Sequence, residues 1–281
     1  MNFLISTFFT NPFLVMALGA GLAASISGGI IGSYVVTKRI VFISGSISHA
    51  VLGGMGLFLW IKRTYNLDFI SPLQGALLFA ILSAILLGFV HLKYKEREDS
   101  IIAAIWATGT SIGVIFITFT PGYNVELMNF LFGNILWATQ SDVVALLLLD
   151  AFVIASTLLF YRKFQAICFD EKQAALQGIS IKFFYIFLLC LIALSVVILI
   201  QVVGAILVIS LLTMPTASTA CFAKKLSTLM KTSIGASMLF TCIGIYTSYE
   251  LNWPPGATIT LVAALFYSIS LGFSQFIKSR K

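Results

Sequence analysis

The sequence predicts an all-α integral membrane protein, a polytopic bundle of about nine (eight to ten) transmembrane helices. Three observations lead there. Of 281 residues 59% are apolar and 10% charged, with a mean hydropathy of +1.04, whereas a soluble domain carries charge on about a quarter of its positions. The apolar residues run in blocks of about 20, the length that crosses a hydrocarbon core ~30 Å thick. The basic residues stand in short clusters between those blocks, where orientation signals belong. Residues 1–281 therefore read as one transmembrane domain, with no room for a separate soluble one.

The candidate spans, in order, are 13–36, 44–61, 70–90, 101–120, 142–161, 183–200, 202–222, 232–249 and 257–277. The first is expected to be a retained span and not a cleaved signal, because no Lys or Arg precedes Lys38. It carries Ala24, Gly28 and Gly32. The second carries Ser46, Ala50 and Gly54, and the fourth carries Gly109 and Gly113. Small residues at this spacing let helix backbones approach where lipid supplies no hydrophobic drive between helices. The third span ends on His91, beside Lys93, which reads as a solvated interface residue. The sixth and seventh are separated only by Gln201, and 129–136 is a possible re-entrant segment, hence the range of eight to ten.

All but two of the 17 basic residues fall in one alternating set of loops, and the other set holds only Lys62 and Arg63. By the positive-inside bias the carboxyl terminus is expected in the cytoplasm and, with an odd number of spans, the amino terminus outside. The net charge of +7 thus reflects membrane orientation, and no nucleic-acid partner is implied. Cys168, Cys190, Cys221 and Cys242 are widely separated and form no zinc or disulfide pattern. No P-loop, no His-Glu-x-x-His and no Gly-x-Ser-x-Gly is present, so the chain is not expected to be an enzyme or to bind ATP itself.

An ionisable group inside a bilayer costs a few kcal/mol or more, so each one is a candidate functional residue. His49 lies in the segment GSISHAVLGGMG (45–56), with Gly53 one turn away leaving space for an approaching group. Neutral imidazole is a good ligand for divalent first-row metals. Asp150 stands mid-span among leucines and is expected to face the interior, protonated or paired. Asp142 suits a cap for the helix beginning there. Glu126 and Glu250 lie near external helix ends and suit cation attraction or a docking rim.

The longest cytoplasmic connection, 162–182, contains FDEKQAALQG (169–178). Asp170 with Gln173 fits a capping box, Glu171 suits the positive end of a helix, Ala174, Ala175 and Leu176 favour helix, and Gly178 suits a left-handed stop. A two-turn helix is unstable alone, and its small exposed residues suit a protein cleft.

The sequence resembles the zinc/manganese permease family of ABC importers along most of its length. VTKRIVFISGSISHAVLGG (36–54) looks like the family's basic pair and Ser/Ala-His-Ala helix. LFGNIL (131–136) followed by Ser141 and Asp142 looks like its Leu-Phe-Gly motif. Segment 169–179 is similar to its Asp-x-x-x-Ala-x-x-x-Gly coupling segment. Residues 203–208 with 214–217 are similar to its VGxLLV…PAA stretch, and SYELNWPPGA (248–257) resembles its Tyr-x-x-Asp-x-Pro-x-Gly-Ala signature. The resemblance implies the transmembrane subunit of an importer in the bacterial cytoplasmic (inner) membrane, carrying zinc, manganese or iron as cargo and holding no tight cofactor. It implies a homodimer surrounded by lipid, ATPase subunits docked on a coupling helix at about 169–179 (Phe169, Asp170, Glu171, Ala174, Leu176 and Gly178), and an extracytoplasmic metal-binding protein docking near Glu250. His49 becomes a metal-pathway ligand. Many members carry Asp three residues before that His where this chain has Ser46, so the metal site is expected either to be His-dominated or to borrow a carboxylate from another span, with Asp142, Glu126 or Asp150 as the lender. The rival expectation is a secondary transporter or channel using Asp150 and His49.

Overall fold

The computed structural model describes residues 11–93, 98–122, 130, 133 and 135–279. Glu126 lies outside them, as do Leu131, Phe132 and Asn134 of the LFGNIL motif. Among the described residues there are ten α-helices and no strand. They are α1 (Pro12–Lys38), α2 (Val41–Tyr65), α3 (Pro72–Lys93), α4 (Glu98–Phe119), α5 (Gln140–Phe169), α6 (Glu171–Leu176), α7 (Ile181–Val203), α8 (Ala205–Ala220), α9 (Leu226–Leu251) and α10 (Pro255–Ser279), with a 3₁₀ turn at Ile135–Trp137. Eight of them, all except α6 and α8, are long and apolar enough to cross a membrane. The protein is a polytopic helical membrane protein.

The break between the sixth and seventh predicted spans falls at Gly204 and not at Gln201, through which α7 continues to Val203. Gly204 has φ 83° and ψ 158°, a region open only to glycine. It ends α7 without an intervening loop. The following α8 has 16 residues, or ~24 Å at 1.5 Å per residue, which is shorter than a hydrocarbon core.

The chain forms two compact units. One comprises Lys38–Phe130 and Thr157–Val197. Here α2 packs on both α3 and α4 through the small residues seen in the sequence. A Cβ on Gly53 would stand 2.8 Å from the Gly109 carbonyl oxygen, and one on Gly56 would stand 2.6 Å from that of Gly113. Gly54 and Gly75 meet in the same way between α2 and α3. The space beside Gly53 is therefore filled by the α4 backbone, and the sequence expectation of an open approach there is corrected. Toward the ends of α5 and α7 a cluster of Phe160, Phe164, Phe183, Phe184 and Phe187 packs edge-to-face and stacked. The Lys163 ammonium lies 4.7 Å from the Phe184 ring centroid.

The other unit comprises Met1–Thr37, Leu131–Ser156 and Ile198–Lys281. The face of α1 bearing Gly28 and Gly32 lies against Leu211 and Leu212 of α8, and Gly29 lies against Ile234 of α9. Buried hydroxyls pair between α1 and α9, with Ser25 Oγ 3.2 Å from Thr241 Oγ1 and Ser33 Oγ 3.5 Å from Ser233 Oγ. The SYELNWPPGA segment makes the turn from α9 to α10. Asn252 takes the left-handed conformation that stops α9, Ser248 Oγ donates to the Trp253 carbonyl at 2.6 Å, and Pro255 occupies the first position of α10.

Candidate functional site

His49 is half-buried on α2 and faces α4. Its ring stacks on the Trp106 indole with centroids 4.4 Å apart and planes 21° from parallel, and its Nδ1 lies 3.0 Å from Thr110 Oγ1. The Thr110 hydroxyl has one proton and donates it to the Trp106 carbonyl at 2.9 Å. The contact with His49 must then be donated by Nδ1–H. That assignment puts the acceptor lone pair on Nε2, the tautomer that a metal-binding imidazole oriented by an outer partner would use. Ser46, one turn earlier, is fully buried and donates to the Ile102 carbonyl at 3.0 Å, so its hydroxyl is committed to the α2–α4 contact.

Asp150 is 3% exposed. Its Oδ1 accepts from the backbone N–H of Ser27 at 3.0 Å, a donor that in an undisturbed helix would serve the carbonyl of residue 23. Its Oδ2 is buried with no hydrogen-bond partner, an arrangement that costs free energy unless the group is protonated or visited by a ligand. Asp142 completes a reciprocal cap at the start of α5. Its Oδ2 accepts from Thr139 N at 2.9 Å and from Thr139 Oγ1 at 2.7 Å, while its own N–H donates to Thr139 Oγ1 at 3.3 Å. The Thr-x-x-Asp spacing of 139–142 carried that signal in the sequence. Glu250 is exposed in the last turn of α9. No group of three or more His, Cys, Asp or Glu able to hold a metal occurs among the described residues.

The segment 169–179 forms the short helix expected of it. Asp170 caps α6 by accepting from Lys172 N at 2.8 Å and Gln173 N at 3.1 Å. The reciprocal half of the expected capping box is absent, because Asp170 N–H donates to the Ala166 carbonyl and so belongs to the end of α5. At the other end Gly178 (φ 75°) stops the helix. Gly178 N–H reaches the Ala175 carbonyl at 2.9 Å and Ile179 N–H the Ala174 carbonyl at 3.1 Å, the paired bonds of a Schellman stop. Ala174 is buried at 1% exposure, while Phe169 (66%) and Leu176 (89%) project outward.

Glu171 turns inward. Its Oε1 accepts from Lys38 Nζ at 2.6 Å and from His91 Nε2 at 3.1 Å. His91 also stacks on Tyr185, with centroids 4.4 Å apart. The expectation of a solvated His91 is thereby corrected: its side chain is 17% exposed. The hydrogen bonds from His91 and Lys38 outweigh burial and hold the Glu171 carboxyl down at about 2, against an ordinary value of 4.5. A depressed carboxylate adds stability above its unfolded value and loses it as pH falls through the folded one. Glu171 is thus expected to add about 3 kcal/mol above pH ~4.5, disappearing toward pH ~2. Thermal unfolding in detergent at pH 6 and pH 3 should show a smaller acid loss for Glu171→Gln than for the native chain; equal losses in both would refute the assignment.

The family model described as ABC 3 transport family matches residues 10–274. The chain belongs to the ABC 3 transport family. Among its relatives, a "Probable metal transport system membrane protein" of Chlamydia pneumoniae is 46% identical over 271 residues, covering 96% of this chain and 92% of the relative. The "Manganese transport system membrane protein MntC" of Listeria monocytogenes is 32% identical over 262 residues, covering 93% and 91%. The solved structure of PsaBC from Streptococcus pneumoniae in complex with Fab superposes with a TM-score of 0.84 at 25% identity, covering 99% of this chain and 98% of that one. Membership in the ABC 3 transport family spans nearly the whole chain, α1 to α10, so both the His49 helix and the α6 segment lie inside the matched region.

Proposed function

We propose that this ABC 3 family member is the permease subunit of an importer for a divalent transition metal, manganese first, with zinc and iron as the alternatives. The observation that carries the reading is the α5–α6 corner, where α6 is capped at both ends and the apolar side chains of Phe169, the last residue of α5, and Leu176 of α6 point away from the fold. Such a surface suits a protein cleft, here that of an ATPase subunit. The preference for manganese rests on the names of the relatives. Two copies of the chain line the path in the bacterial inner membrane, with α6 and the carboxyl terminus on the cytoplasmic side. An extracytoplasmic binding protein delivers the ion near Glu126 and Glu250. Glu126 supplies the carboxylate that Ser46 does not, while Asp142 is already engaged by Thr139.

A secondary transporter is the competing reading, favoured by the buried and partly unpartnered Asp150. The two separate in vesicles carrying the chain and a cognate ATPase, with the ion presented by the extracytoplasmic binding protein. Radiolabelled Mn²⁺ uptake is expected to require ATP and the ATPase and to survive collapse of the membrane potential. Uptake driven by potential without the ATPase, and abolished by Asp150→Asn, would overturn the proposal in favour of the rival.

A further inference from the structure

The junction of α5 and α6 is held by a cluster that no coupling motif requires. Lys38, the last residue of α1, donates to Glu171 and also to the Ile167 carbonyl at 3.0 Å. That carbonyl is one of the last four of α5, which lack partners within the helix. One ammonium therefore closes the end of α5 and grips the start of α6. His91, the third-last residue of α3, brings a second donor to the same Glu171 oxygen and lays its ring on the fully buried Tyr185 of α7. The Lys38 ammonium lies 5.7 Å from the Tyr185 ring centroid. Glu171 is thus the meeting point of the ends of α1 and α3, the α5 terminus and, through Tyr185, α7. The other inward contact of α6 is the small Ala174, and its large side chains face away.

We propose that Lys38, His91 and Glu171 are positioning residues that convert a pull on α6 into movement of α3, α7 and the end of α1. The proposal rests on the reading of α6 as the helix an ATPase grips. Charge-assisted hydrogen bonds at low exposure are short, directional and among the stronger polar contacts. With Glu171 in place, α6 cannot turn about its own axis without dragging Lys38 and His91. Without it, α6 remains capped by Asp170 and stopped by Gly178, so its outward surface persists while its link to the bundle is lost. That separates positioning from docking.

Cys168, 7% exposed in the last turn of α5, reports on the clamp. In the full chain carrying Cys190→Ser, Cys221→Ser and Cys242→Ser, assembled with its ATPase in vesicles, maleimide labelling of Cys168 is followed together with retained ATPase and Mn²⁺ moved per ATP. Glu171→Gln and Lys38→Met are each expected to speed labelling about tenfold and to lower Mn²⁺ per ATP with the ATPase still bound. His91→Phe, which keeps the stack on Tyr185, is expected to act in the same direction more weakly. The double variant Lys38→Met with Glu171→Gln is expected to label no faster than Lys38→Met alone, because the two residues share one contact. Unchanged labelling in Glu171→Gln, a double variant whose acceleration is the product of the two single ones, or loss of ATPase as complete as in Leu176→Asp would overturn the clamp. If instead Leu176→Asp keeps the ATPase, the docking reading falls, while labelling of the single and double variants still decides the clamp.

Discussion

Leu176→Asp is expected to release the ATPase from the membrane subunit while leaving the helical bundle folded. Leu176 is 89% exposed and Phe169 66% exposed, so neither contributes much to the fold and either can be changed at little cost in stability. In a complex, a large apolar side chain seated in a partner's pocket is worth ~2 kcal/mol or more, a loss of about 30-fold in affinity when it is removed. A carboxylate in its place adds a desolvation cost, so Leu176→Asp should exceed Leu176→Ala, and Phe169→Ala should fall between the native chain and Leu176→Asp. Gly178→Ala gives a useful contrast. Nothing lies within 4 Å of a Cβ at that position, but φ is 75°, so the cost is confined to backbone strain of ~1 kcal/mol and a looser stop for α6. Titration of the detergent-solubilised chain with the ATPase measures the ranking. Native affinity in Leu176→Asp would remove α6 as the docking element.

The membrane bundle and the short helix were legible in the sequence because both depend on local signals. Span length follows from apolar run length, and α6 follows from Asp170 and Gly178, whose roles need only neighbouring backbone. The small residues of α2 and α4 announced close crossings, but which pairs met could not be read: Gly53 looked like open space and is filled by Gly109. His91 shows the same limit more sharply. Its partner Glu171 is 80 residues later and arrives only because α5 and α6 bring it back, so its position beside Lys93 suggested water. Gly204, not Gln201, ends α7 because backbone conformation, and not polarity, stops a helix inside a membrane. Asp142 was readable as half of a reciprocal cap from Thr139, three residues earlier, yet its charge drew attention toward metal.

His49→Ala is expected to reduce Mn²⁺ uptake by about 100-fold or more, since it removes a ligand outright and loss of an outer partner alone costs 10–100-fold. The outer partner is Thr110. Thr110→Val removes the acceptor for Nδ1–H, frees the ring to take the other tautomer, and should cost about tenfold in uptake. Thr110→Ser keeps the hydroxyl and should stay near the native rate. A purely structural role for His49 predicts the opposite order, with Thr110→Val mild because the shape is conserved and His49→Phe tolerated because the stack on Trp106 remains. Ser46→Asp then tests the carboxylate that the family resemblance leads one to expect at that position. The Ser46 hydroxyl donates to the Ile102 carbonyl inside the α2–α4 contact, and a carboxylate in that place would face a carbonyl oxygen with no proton to offer. Its introduction is expected to destabilise the crossing and not to raise uptake. A gain in uptake with Ser46→Asp would mean that the residue can turn toward the His49 side, and would move the missing ligand from Glu126 to α2 itself.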